Sequence, residues 1–126
     1  MAWVFLLEDH SWFRKALADL LEREPDVEVI GEAGSLSEAR REAAEKAGEI
    51  DLAVVDLLLP DGIGTELIRE LRVAGPEVPV LVLTVAQGPD LRAWVLSMGA
   101  DEMVSKDASV DEILSAVRVL LKGRDP

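Results

Sequence analysis

A chain of 126 residues fits one domain of ordinary size, and its 49% hydrophobic content suffices for one core. Thirteen Lys and Arg stand against 25 Asp and Glu, a formal net charge of −12. This argues against direct binding to nucleic acid or an anionic membrane surface and favours cations and basic protein partners. With no cysteine, disulfides, thiolate metal sites and cysteine nucleophiles are excluded.

The chain opens with an apolar run, Trp3 to Leu7, stopped by Glu8-Asp9. It lacks a preceding basic stretch and ends too early for a signal peptide or a membrane span, so a soluble cytoplasmic protein is expected. The run itself reads as a strand buried on both faces. Trp12, Phe13, Ala16, Leu17, Leu20 and Leu21 follow at helical spacing, until Glu24-Pro25-Asp26 ends the helix. Val27-Glu28-Val29-Ile30 alternates as an edge strand would. Ser35 and Glu38 form a capping-box pattern that opens an Ala-rich helix closed by Gly48. Leu52 to Val55 is a third strand ending at Asp56, followed by a loop with Pro60, Gly62 and Gly64. A helix with Leu67, Ile68 and Leu71 inward runs to Gly75-Pro76. Val80 to Leu83 forms a fourth strand ending at Thr84. Leu91, Trp94, Val95 and Met98 mark the next helix, closed by Gly99. Met103-Val104 is a short fifth strand with Lys106 just beyond. Ser109 and Glu112 open a last helix that buries Ile113, Leu114, Val117, Leu120 and Leu121. Strict β–α alternation implies an α/β domain: a parallel sheet with helices on both faces and right-handed crossovers.

In such a sheet ligands bind beyond the carboxyl ends of the strands. Glu8 and Asp9 follow the first strand, Asp56 the third, Thr84 the fourth and Lys106 the fifth. Taken singly, each has a plainer reading. Asp56 could be a loop carboxylate or helix cap, and Glu8-Asp9 could cap the first helix. Thr84 could bond backbone, and Lys106 could be a solvated surface lysine. Taken together they supply three carboxylates, a hydroxyl and an ammonium at one rim. Converging carboxylates repel one another, and Mg²⁺, a hard cation that takes oxygen ligands and keeps waters, relieves this. One carboxylate can attack phosphorus to form an acyl phosphate, with the cation and ammonium neutralising charge on the transferring group. Asp56, on the central strand, is the candidate nucleophile.

The sequence resembles the response-regulator receiver family over essentially its whole length. The acidic pair is Glu8-Asp9, the Asp-x-x-x-Pro-x-x-x-Gly signature is Asp56, Pro60 and Gly64, and the strand-four hydroxyl and strand-five lysine are Thr84 and Lys106. His10 to Arg14, Val29 to Ala33 and Lys106 to Ser109 look most like receivers of regulators with a LuxR-type helix-turn-helix. The resemblance implies a flavodoxin-like (βα)5 three-layer sandwich of strand order 2-1-3-4-5, with one receiver domain over residues 1–126. It implies phosphoryl transfer to Asp56 from a sensor histidine kinase. Mg²⁺ would be held by Asp9, Asp56 and the backbone carbonyl of Leu58, with Glu8 on a water of the ion. Lys106 would contact phosphoryl oxygens and Thr84 would bond the phosphoryl group once it has arrived. The helix 4–strand 5–helix 5 surface would serve a homodimer or an output domain. No turnover enzyme, membrane contact or direct nucleic-acid contact by this domain is implied.

Some positions depart from that pattern. Glu8 stands where Asp is commoner, Met103 replaces the strand-five aromatic, and Val85 follows Thr84 where a small residue is frequent. Leu58 and Ala86, which flank the reaction site, are apolar and cannot orient a water. His10 reads as a surface or helix-start residue. Trp12 and Trp94 read as packing residues, Trp94 alternatively as part of a partner surface, and Arg40-Arg41 as a solvated pair. Two other classes compete. A flavodoxin-like cofactor binder would need a Ser/Thr/Gly-rich phosphate loop after the first strand, where Glu8-Asp9-His10 stands instead. A degenerate receiver acting only through protein contacts is the alternative that Met103 and Val85 keep open.

Overall fold

The apolar runs become the strands of one parallel sheet in the computed structural model, which describes residues 1–46, 48–74 and 77–123. The strands are β1 (Ala2–Leu7), β2 (Val27–Ala33), β3 (Leu52–Val55), β4 (Val80–Thr84) and β5 (Glu102–Ser105), in the order β2-β1-β3-β4-β5. The expected flavodoxin-like fold and strand order are those observed. Along the central strands the side chains alternate between two cores. Phe5, Leu7, Ala53, Val55, Val80 and Val82 face one side, while Val4, Leu6, Leu52, Val54, Leu81 and Leu83 face the other.

Among the described residues, five helices cover those faces. α1 (Ser11–Glu22) and α5 (Val110–Lys122) close one core with Leu17, Ala18, Leu21, Ile113, Val117 and Leu121. α2 (Leu36–Glu45), α3 (Thr65–Ala74) and α4 (Pro89–Ser97) close the other with Leu36, Ala39, Leu67, Ile68, Leu71 and Val95. The Ser35 and Ser109 hydroxyls accept from the N–H groups of Glu38 and Glu112, at 3.2 and 3.1 Å, as their patterns predict. Among the described residues no helix is long and apolar enough to cross a membrane. The helix end read at Gly75-Pro76, the tail 124–126 and residue 47 lie outside the described residues.

Corrections fall where an apolar stripe outruns the sheet. Trp12 is 73% exposed, because α1 begins at the strand-end rim and its first turn has no strand beneath it. Its ring makes an edge contact with His10 instead. In the same helix Ala18 is buried and Ala16 is exposed. Trp94 is 43% exposed, since α4 fully buries only Val95, which favours its surface reading. Trp3, read as part of a run buried on both faces, is exposed and donates its indole N–H to Glu28 at 3.3 Å. Arg40 is not merely solvated. It pairs with Glu70 at 2.9 Å and Glu66 at 3.5 Å, clamping α2 to α3.

Candidate phosphoacceptor site

The order of strands reverses direction between β1 and β3, and the functional side chains gather at the carboxyl ends beside that crevice. Strand pairing fixes the backbone there. Glu8 N–H donates to the Ala33 carbonyl and Asp56 N–H to the Leu7 carbonyl, both at 2.9 Å. Lys106 N–H donates to the Thr84 carbonyl at 3.0 Å. The rim residues are therefore positioned by extensions of the sheet itself.

Glu8, Asp9 and Asp56 each offer a carboxylate oxygen, and the three oxygens lie within 4.8 Å of one another. Glu8 is 3% and Asp56 5% exposed, whereas Asp9 is exposed. Lys106 Nζ lies 2.8 Å from Asp56 Oδ2 and also pairs with Glu8 Oε1. Burial pushes the Glu8 carboxyl above its ordinary value; the bonds from Lys106 and the His10 N–H oppose that, and the Asp56 charge adds to it. Burial alone would lower Lys106, but its bonds to Asp56 and Glu8 prevail and hold it above the ordinary lysine value.

Three carboxylates and one ammonium leave a formal charge of about −2 at this rim, which one divalent cation would balance. The oxygen donors suit Mg²⁺, so the residues present fit the ion. Leu58 donates its N–H to Asp56 Oδ1 at 3.4 Å, which places its backbone beside the cluster while its side chain is exposed. Thr84 is fully buried, and its hydroxyl oxygen accepts from Ala86 N–H at 3.3 Å. Val85 is exposed and Ala86 half-buried at the same rim. The structure thus brings together Glu8, Asp9, Asp56 and Lys106, with Leu58 bonded to Asp56 and Thr84 joined to Lys106 through the backbone.

The loop after Asp56 explains the glycine of its signature. Leu58–Leu59 and Gly62–Ile63 pair as a two-residue antiparallel hairpin, which sequence reading took for plain loop. Its return brings Gly64 N–H to the Leu57 carbonyl at 2.8 Å. A Cβ on Gly64 would sit 2.1 Å from the Asp56 carbonyl oxygen, so no other residue fits without a shift. Asp61, in the same loop, caps α2 by accepting from the N–H groups of Leu36 and Ser37 at 2.8 and 3.0 Å. Those bonds hold its carboxyl below the ordinary value.

Two contributors were not read from the sequence. Phe13 lies under Lys106, with Nζ 5.0 Å from the ring centroid. Arg14 Nη1 donates to the Glu8 carbonyl at 2.6 Å and its Nε lies 3.5 Å from Glu32, with Gly34 leaving room for the guanidinium. His10 is the N-cap of α1, its Nδ1 accepting from Phe13 N–H at 3.3 Å, so it starts the helix as expected and holds no metal-site position. One available signal was that the first turn of a helix following a strand end sits at the same rim as the strand-end residues.

The sequence matches the response regulator receiver domain over residues 4–118. It is 40% identical over 124 residues to the DNA-binding transcriptional activator DevR/DosR of Mycobacterium tuberculosis, covering 98% of this chain and 56% of that protein. It is 34% identical over 123 residues to the transcriptional regulatory protein UhpA of Salmonella typhimurium, covering 98% of this chain and 60% of that one. The chain therefore spans somewhat over half the length of these relatives. Among solved structures, a LuxR-family two-component response regulator from Aurantimonas superposes with a TM-score of 0.90 at 31% identity, covering 98% of this chain and 86% of that one.

Proposed function

The chain belongs to the response regulator receiver domain family of two-component signalling, and from that premise we propose that Asp56 accepts a phosphoryl group from a sensor histidine kinase. Receivers are signalling modules rather than turnover enzymes, and this one would act as a switch over residues 1–126, in the cytoplasm. The observation that carries the reading is the buried Asp56 carboxylate, held 2.8 Å from Lys106 within a cluster of two further acids. A protein that used this rim only as a docking surface would have no need to bury opposed carboxylates there.

In the proposed step an Asp56 oxygen attacks phosphorus on the kinase phosphohistidine. A P–O bond forms as the P–N bond breaks, and the electron pair returns to the imidazole nitrogen. With its other ring nitrogen protonated, neutral imidazole leaves. Lys106, already on Asp56, would follow the negative charge onto the phosphoryl oxygens. The Thr84 hydroxyl has its hydrogen free to donate to a phosphoryl oxygen, because its own bond here is as an acceptor. Asp9, Asp56 and the backbone carbonyl of Leu58 would hold Mg²⁺, with Glu8 beside them. That ion supplies charge neutralisation in the transition state. The surface of α4, β5 and α5 would then present the signal to a second copy or an output domain.

The test is intact-mass spectrometry after incubation with Mg²⁺ and acetyl phosphate. One phosphoryl group, stable to acid and lost in base, is expected on the wild type and not on Asp56→Asn or after chelation. Equal labelling of Asp56→Asn would remove Asp56 from the role.

A further inference from the structure

We propose that Phe13 is a positioning residue for Lys106, its ring face holding the ammonium where phosphoryl transfer needs it; the inference rests on the reading of Asp56 given above. An ammonium has three N–H donors on a flexible four-carbon stem. Two of its directions are taken by Glu8 and Asp56. A further contact among the described residues is the Phe13 ring, 5.0 Å from Nζ to the centroid and inside the range of cation–π attraction. The Lys106 side chain is largely withdrawn from water, at 13% exposure, and Phe13 is half-buried, which strengthens such a contact.

Carboxylates alone do not fix the lysine for the reaction. When Asp56 becomes an acyl phosphate it loses the charge that Nζ is paired with, and the ammonium must pass to the phosphoryl oxygens. Glu8 would then compete for it. The ring supplies a neutral, non-competing hold on the third side and limits how far Nζ can swing. Helix α1 sets the ring's place through its cap, since His10 Nδ1 accepts the Phe13 N–H itself. The ring is not a central core residue whose loss must unfold the chain. It packs at the edge of the α1–α5 core and lines an open cleft of about 270 Å³ with Trp12, Ala16, Leu17, Ala108 and Val110.

The electrostatic role separates from a packing role by changing the ring's charge distribution at constant shape. Site-specific replacement of Phe13 by 4-fluorophenylalanine weakens the negative ring face, and pentafluorophenylalanine reverses it. Phe13→Leu removes it, and Phe13→Tyr keeps it. The expected result is a stepwise fall in the rate of Asp56 labelling by acetyl phosphate, reaching about 5- to 10-fold for Phe13→Leu, with Phe13→Tyr near wild type. A rate unchanged along the fluorine series, or a Phe13→Tyr as slow as Phe13→Leu, would overturn the proposal. A second arm is independent of phosphorylation. The Lys106 side-chain methylene protons nearest the ammonium should show a ring-current shift that Phe13→Leu abolishes. Unshifted resonances in the wild type would overturn the proposal even if labelling behaves as expected. Should the wild type take no label, the reading of Asp56 falls, and this arm alone decides whether the ring holds the ammonium.

Discussion

Lys106 carries one positive charge between two buried carboxylates, and that imbalance governs what single substitutions do. Removing the ammonium leaves Glu8 and Asp56 facing each other in a poor solvent for charge. Lys106→Ala should therefore cost about 3 kcal/mol in urea unfolding and slow labelling of Asp56 by about 100-fold. A variant as stable and as fast as wild type would contradict the geometry. Glu8 makes a separate, pH-dependent prediction. Burial, first, and then repulsion from Asp56 hold its folded value above the ordinary 4.5. A raised folded value means that protonation favours the fold. That contribution is fully present below the unfolded value and is lost as pH rises through the folded one. Glu8→Gln imitates the protonated form. It should exceed wild type in stability at pH 7 in metal-free buffer, and the gap should shrink as pH falls toward 4.5. Asp26 and Asp61 are shifted the other way, and their losses begin only near and below 3.8, outside that window. A gap of equal size at pH 7 and pH 5, measured by urea melts, would count against a strained Glu8. Residue types at strand ends made Glu8, Asp9, Asp56, Thr84 and Lys106 legible from sequence. Phe13 and Arg14 were not, because a side chain on an amphipathic helix gives no sign of which rim group it touches.

At the scale of elements, periodicity and caps carried most of the information. The two serine N-caps and the alternation of strand side chains each follow from local sequence, and each is present. Local sequence could not show that Asp61, 25 residues from Leu36, caps α2 from another loop. Nor could it show the hairpin that returns the chain to Gly64, because its strands have only two residues each. The Asp61 cap is a tertiary contact, and a hairpin of two-residue strands is too short for its propensity to show. Their consequence is a loop tied to Asp56 at one end and to α2 at the other. Gly64→Ala forces a Cβ against the Asp56 carbonyl oxygen and must displace backbone to fit. It should cost about 1–3 kcal/mol and reduce labelling more than its loss of stability explains. Wild-type labelling in a destabilised Gly64→Ala would show that the loop's position does not set that of Asp56.

At the scale of the molecule, the proposed phosphorylation would add charge at one rim, and its effect would have to reach the α4–β5–α5 face. Met103 lies buried in the core beneath α4 with Val82, Val95 and Ala100. Arg92 of α4 ties the helix to the same strand, donating to the Met103 carbonyl at 3.1 Å and pairing with Glu102. Met103 is flexible and stands where the receiver resemblance implies an aromatic, so it should discriminate weakly between two packings. Beryllofluoride should produce small or averaged NMR shifts on this face in the wild type, and Met103→Tyr should enlarge them. A full slow-exchange rearrangement, unchanged by Met103→Tyr, would show that the switch does not depend on this position. All such coupling presupposes that the charge arrives on Asp56, and chemical mapping tests that most directly. Borohydride reduces an aspartyl phosphate to homoserine, so the protein labelled with acetyl phosphate should yield, after reduction and digestion, homoserine at position 56 and aspartate at positions 9, 51 and 61. Homoserine at another position, or none in a protein that has gained the phosphoryl mass, would contradict the assignment of Asp56 as the phosphoacceptor.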